Sequence, residues 1–197
     1  MKAAIQELMD DHQVILRMLG VLQGLCARLD KGGRVDFADL DAAIDFIKAF
    51  ADHCHHGKEE DLLFPAMEGA GFPRDGGPIG VMLMEHARGR EFVKALSNAT
   101  ARLKAGESAA AKEVAGAARG YVELLVGHIH KEDNILYPMA LDALPDPAWK
   151  TMEKDFARVE SERMGPKKRA AFIALVERLA AAYPGELPAV PDGPLCH

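Results

Sequence analysis

The segment from His55 to Pro65, His-His-Gly-Lys-Glu-Glu-Asp-Leu-Leu-Phe-Pro, returns from His128 to Pro138 as His-Ile-His-Lys-Glu-Asp-Asn-Ile-Leu-Tyr-Pro. This duplication constrains the fold more than any other feature, because two copies of one unit can bury their faces against each other. In both copies a histidine precedes a glutamate by four positions: His55 and Glu59, then His128 and Glu132. On a helix of about 3.6 residues per turn, those two side chains leave the same face one turn apart. An imidazole and a carboxylate on one helix face, made twice, look like half of a two-metal site repeated.

The repeated unit is longer than the motif. Asp11-His12 stands ahead of the first copy much as Glu85-His86 stands ahead of the second. Each unit is therefore a helix with one histidine followed by a helix with H-x-x-x-E. Apolar periodicity supports this: Ile5, Leu8, Ile15, Leu19, Leu22 and Leu29 mark a first helix that Gly32-Gly33 ends. Asp36 can cap a second helix that runs to Leu63-Phe64-Pro65. A glycine-rich connection spans residues 68–77, and Pro78 is placed to open a third helix. A fourth starts near Ser108 and reaches Leu136-Tyr137-Pro138; Pro65 and Pro138 are expected to end or kink their helices. Pro145-Asp146-Pro147 introduces a shorter helix to Met164, and after Gly165-Pro166 another runs to about Tyr183.

No run of alternating β-branched residues reads as a strand. The expected fold is all-α: an up-down-up-down four-helix bundle built from two helix-pair repeats, plus two shorter C-terminal helices. The bundle is assigned to residues 1–144, the helical extension to 145–183, and a frayed Pro- and Gly-rich tail to 184–197. Folding this way would bring His12, His55, Glu59, His86, His128 and Glu132 together inside the bundle.

Composition narrows the function. The 197 residues are 49% hydrophobic and 27% charged, with a net charge of −6 and no basic patch, which argues against nucleic-acid or anionic-membrane partners. No apolar run is long enough to span a bilayer, and the first residues show no signal-peptide pattern. Cys26, Cys54 and Cys196 form an odd set without CxxC spacing, so a reducing cytoplasm is the expected location.

Four imidazoles and two carboxylates suit Fe, Zn, Cu or Ni, and a carboxylate can bridge two ions. Two six-coordinate ions offer about twelve positions. The four histidines, two bridging glutamates and a shared oxide or hydroxide leave about two open, as O₂, NO or peroxide chemistry requires. The centre is poorer in carboxylates than a ferritin-like one, which carries E-x-x-H motifs absent here. Neutral ligands in their place disfavour high-valent states.

The order His12, His55-x-x-x-Glu59, His86, His128-x-x-x-Glu132 resembles the hemerythrin-like, or HHE cation-binding, family over roughly residues 1–183. The stretch from Phe156 to Pro166 is similar to the C-terminal extension of a bacterial branch. The resemblance implies that the six residues hold two iron ions, with zinc or manganese as substitutes. It further implies a small diatomic ligand or peroxide as partner, a monomer or weak dimer, and a redox partner of unknown kind. Binding of that ligand in sensing, scavenging or storage is the leading expectation. Decomposition of peroxide or NO is the enzymatic alternative. Iron–sulfur cluster repair ranks lower, because its hemerythrin-like representatives carry an added N-terminal cysteine region not seen here. Oxygen carriers in the family have a fifth histidine one turn after the third-helix one, where this chain has Arg90. Their second carboxylate falls at the position of Asp133, so the site is expected to be more symmetric and more open than a carrier's.

Around the six, the roles stay double. Glu60 and Asp133 either orient ligand imidazoles or are exposed charges. Arg90 either holds a carboxylate near the site or lies at the bundle end. Tyr121, on the inner face, either donates a hydrogen bond to a bound ligand or packs as core. Glu160 reaches the pocket only if the fifth helix crosses the bundle mouth. His56 and Glu60 repeat the ligand spacing, but their counterparts are Ile129 and Asp133, and isoleucine cannot ligate. The repeat therefore selects His55 and Glu59. His53 and His130 are expected to face outward, and Leu62, Leu63, Phe64, Leu136 and Tyr137 to keep the site dry.

Overall fold

The computed structural model describes residues 2–190, so the expectations for Cys196, His197 and the last part of the tail lie outside the described residues. Every regular element among the described residues is helical. Helix α1 is Ala3–Asp30, α2 spans residues 37–69, α3 is Gly77–Lys104 and α4 spans residues 110–143. Two shorter helices follow, α5 (Asp146–Arg163) and α6 (Pro166–Ala182). Asp36 caps α2 as expected, its side chain accepting from the Ala38 N–H at 2.8 Å.

The prolines do not end their helices. Both α2 and α4 run past Pro65 and Pro138, and each widens into a π-helical stretch just before its proline. Proline cannot donate to the ladder, and its ring presses on the carbonyl four residues back. Bonding five residues apart loosens the ladder at that point. Helix α2 carries a further π-helical stretch from Ile47 to His56, which runs into the start of the first motif.

Two apolar clusters fill the bundle, with the histidines lying between them. One gathers Ile15, Leu22, Phe46, Phe50, Leu96, Val122 and Leu125 from the middle of the four helices. The other joins Ile5 and Leu8 of α1, Leu63 and Phe64 of α2, Ile79 of α3 and Tyr137 of α4. The second set pairs helix starts with helix ends, as an up-down-up-down order requires. Between them sit His12, His55, Glu59, His86, His128 and Glu132, all buried.

Helix α5 buries Trp149, Met152 and Phe156 in the second cluster, and α6 sends Val176 and Leu179 into the first. The chain after α6 is not loose at its start. The backbone of Tyr183 and Gly185 lies against Gly20 and Gly24 of α1, closely enough that a Cβ on Gly24 would meet the Tyr183 backbone.

Candidate metal centre

The imidazoles meet in two pairs. The Nε2 atoms of His12 and His55 lie 3.1 Å apart, and those of His86 and His128 also lie 3.1 Å apart. The outward nitrogens face carboxylates. His12 Nδ1 is 2.7 Å from Asp133, His86 Nδ1 is 2.7 Å from Glu60, and His128 Nδ1 is 2.9 Å from Glu85. His55 Nδ1 stands 3.6 Å from Asp11 Oδ2. A ring nitrogen facing a carboxylate carries the proton, which turns the lone pair of the other nitrogen inward. Two lone pairs at this distance need positive charge between them.

The two glutamates close the centre. Glu132 reaches both pairs, Oε2 lying 3.2 Å from His12 Nε2 and Oε1 3.1 Å from His128 Nε2. Glu59 offers one oxygen: Oε2 is 3.5 Å from His86 Nε2 and 3.7 Å from His55 Nε2. Its Oε1 accepts the Tyr137 O–H at 2.7 Å. Glu59 Oε2 and both oxygens of Glu132 are buried without a hydrogen-bond donor. Such atoms are costly to leave unsatisfied, and a nitrogen–oxygen donor set of this kind fits a divalent cation. The groups fall into two sets that could each hold an ion: His12, His55 and Glu132, and His56, Glu59, His86 and His128.

Electrostatics show the same demand for positive charge. Burial opposes protonation of His12, yet Asp133 and Glu132 hold it up at about 9. Burial likewise opposes His128, but Glu132, Glu85 and Glu59 push it up to about 10. Burial and the neighbouring Glu132 charge raise Glu59 to about 8. Glu132 is held well below the usual range despite its burial, chiefly by His128 and His12. His55 stays neutral, pushed down to about 4 by burial.

The six residues singled out by the repeat thus converge, with His53 and His130 exposed. Glu60 and Asp133 touch ligand-type imidazoles. Arg90 holds two carboxylates, donating to Asp52 at 2.8 Å and to Glu60 at 2.7 Å. At two further residues the side chain takes up one of the alternatives that the sequence left open. Tyr121 sits two turns, about 10 Å, along α4 from His128; it packs beside Gly89 and makes no hydrogen bond to the six. Glu160, on a helix that packs against α1 and α2, makes no contact with the six; it accepts from Lys58 Nζ at 2.8 Å and from the Cys54 thiol.

Other contributors went unread. Asp11 and Glu85 each precede a lone histidine, and the signal lay in their matched positions. Tyr137 is more than dry packing, since its hydroxyl reaches Glu59 and lies 3.4 Å from His12 Nε2. His56 is also buried, at 4% exposure. Lys58 is fully buried and linked to Glu7 at 2.6 Å, to Glu160, and to Asp11 at 3.6 Å. A cavity of about 370 Å³ approaches His56 and His86, walled by Ile47, Gly89, Arg90 and Tyr121.

Comparison with known proteins agrees with this geometry. Uncharacterized proteins of Mycobacterium tuberculosis and Mycobacterium bovis are 26% identical over 177 residues, covering 90% of this chain and 68% of theirs. A Haemophilus influenzae protein named a probable iron-sulfur cluster repair protein is 31% identical over 98 residues, covering 48% of this chain and 44% of that one. No solved structure matches. No helix among the described residues is long and apolar enough to cross a membrane. The hemerythrin HHE cation-binding domain matches residues 3–140, a span holding all six residues and both halves of the repeat. By that match and by its layer of paired histidines and glutamates, the chain belongs to the hemerythrin HHE cation-binding family.

Proposed function

We propose that the chain holds two iron ions between its repeated halves and uses an open position there to bind O₂, NO or peroxide. His12, His55, Glu59, His86, His128 and Glu132 would be the ligands. The observation that carries this reading is the pair of inward-facing imidazole couples at 3.1 Å with three donorless carboxylate oxygens between them. When bound, iron supplies a redox-active Lewis acid for a small ligand.

The chain's own residues set the conditions. Glu132 reaches both halves and ties them together. Asp133, Glu60 and Glu85 keep the protons of His12, His86 and His128 on their outer nitrogens, fixing those rings, while Asp11 faces His55 from 3.6 Å. Tyr137 remains a phenol, because burial and the charges of Glu132 and Glu59 raise its pKa well above the usual value. It therefore keeps a proton at Oη beside Glu59 and His12. Leu63, Phe64 and Leu136 line the adjoining core and exclude bulk water. The buried free thiols of Cys26 and Cys54 suit a reducing compartment such as the cytoplasm.

Metal analysis and an optical spectrum of anaerobically purified protein, before and after air, test the reading. Two irons per chain with new charge-transfer absorption in air support it. Zinc alone, with no such band, refutes it. Stopped-flow mixing of the ferrous protein with each ligand then separates binding, which leaves stable adducts, from sustained turnover. His55→Ala or Glu132→Ala should lose at least one ion, and His130→Ala none. A second reading, iron–sulfur cluster repair, draws on the name of the Haemophilus influenzae relative. Restoration of a damaged cluster by the iron-loaded protein would favour it.

A further inference from the structure

We propose that the cavity beside the centre binds a small organic acid, one that carries a hydrogen-bonding group at the end away from its carboxylate. This goes beyond the two-ion reading and does not depend on it. The cavity runs between α2 and α3, with Tyr121 of α4 also in its wall. Contacts of Asp41 with Lys104, Asp52 with Arg90 and Glu60 with His86 set those two helices antiparallel. His56 and His86 therefore stand at one end of the groove, and Lys48, Lys94, Ser97 and Asn98 toward the other.

Size is the first argument. A diatomic ligand needs about the room of one water, about 30 Å³. The cavity holds about 370 Å³, within the range of about 300–1,000 Å³ usual for sites that take organic molecules. Of the six residues of the metal centre, His86 alone lines it. An occupant is thus held beside the centre and not within it.

The wall gives the ligand class. Tyr121 is 2% exposed, yet its hydroxyl has no hydrogen-bond partner among the described residues. Buried polar groups are rarely left so; here the Tyr137 phenol and the Trp149 indole are both paired. A polar group on a ligand would satisfy Tyr121. Toward the other end, Arg90 is taken up by Asp52 and Glu60, whereas Lys48 and Lys94 form no ion pair among the described residues. Two unpaired ammonium groups on one groove, in a chain of net charge −6, favour a carboxylate there. Between these polar ends, Ile47, Gly89 and Val93 offer apolar surface to the body of the molecule.

Calorimetric titration of the intact protein with ω-hydroxy carboxylates of increasing chain length tests the proposal. At least one member should bind once per chain. The alkanoate of the same length lacks the hydroxyl, and the diol lacks the charge; each should bind roughly three- to tenfold more weakly. Tyr121→Phe should erase the advantage over the alkanoate. Lys48→Gln with Lys94→Gln, at two exposed positions, should erase the advantage over the diol. Ser97→Phe, which places a ring in the groove from a half-buried position, should abolish binding. Failure of every member to bind overturns the proposal, as does binding that none of these variants alters. Binding that is lost with the metal but survives Ser97→Phe would put the acid on the metal itself, overturning the groove while leaving the two-ion reading intact.

Discussion

Replacing Lys58 by methionine tests how the C-terminal helices are joined to the centre. The ammonium is fully buried, and burial would lower its pKa, yet Asp11 and the other carboxylates around it raise it above the usual value. It joins Glu7 of α1 and Glu160 of α5 directly, and stands 3.6 Å from Asp11, which backs His55. Methionine keeps most of the volume and removes the charge. Asp11 then remains 1% exposed with less compensation, though Arg169 of α6 still contacts it and Glu160. Breaking a buried pair from one side costs about 3–5 kcal/mol, and the remaining guanidinium places this case near about 3. For a chain of this size, about 3 kcal/mol lowers Tm by about 6–12 °C. Thermal unfolding followed by circular dichroism, on fully metal-loaded and on fully stripped protein, measures it. A shift below about 2 °C in both forms would refute the idea that Lys58 neutralises a buried acidic cluster. The double variant with Glu160→Gln should lose less than the two separate losses combined, since the two residues share one interaction.

Tyr137→Phe removes the donor to Glu59 and should cost about 1–2 kcal/mol in chemical denaturation, with a changed optical spectrum of the iron-loaded protein; an unaltered spectrum would separate the phenol from the centre. Gly24→Ala forces a Cβ into the Tyr183 carbonyl group and should destabilise by about 1–3 kcal/mol, whereas Gly116→Ala meets nothing within 4 Å and should stabilise by about 0.5–1 kcal/mol, both read from urea midpoints. Burial opposes ionisation of Glu160, but Lys58 and Arg169 hold its carboxyl below the ordinary value of about 4.5. A depressed carboxyl contributes stability that is present above its unfolded pKa and lost as pH falls through the folded one. Glu160→Gln should therefore flatten the loss of Tm on acidification below about pH 4.5, and a Tm-versus-pH curve parallel to wild type would count against it.

Much of the candidate centre is local information. The spacing of His55 to Glu59 and of His128 to Glu132 fixes their common face in any helix, and the duplication supplies the partner half. Apolar periodicity and turn residues likewise set the bundle. Proline was less informative, because the π-helical turns that accommodate Pro65 and Pro138 arise from the ladder around them.

What the chain alone decided is that two like halves, each bearing a lone histidine and an H-x-x-x-E helix, must face each other with their polar residues in one layer. Only the tertiary structure decided which acid backs which ring, since Asp11 meets His55 and Asp133 meets His12 across separate helices. It likewise turned His56 inward, brought the Tyr137 hydroxyl to Glu59, and buried Lys58 among acids from α1 and α5. Such pairings depend on how helices are rotated and spaced against one another, and no periodicity along the chain encodes that.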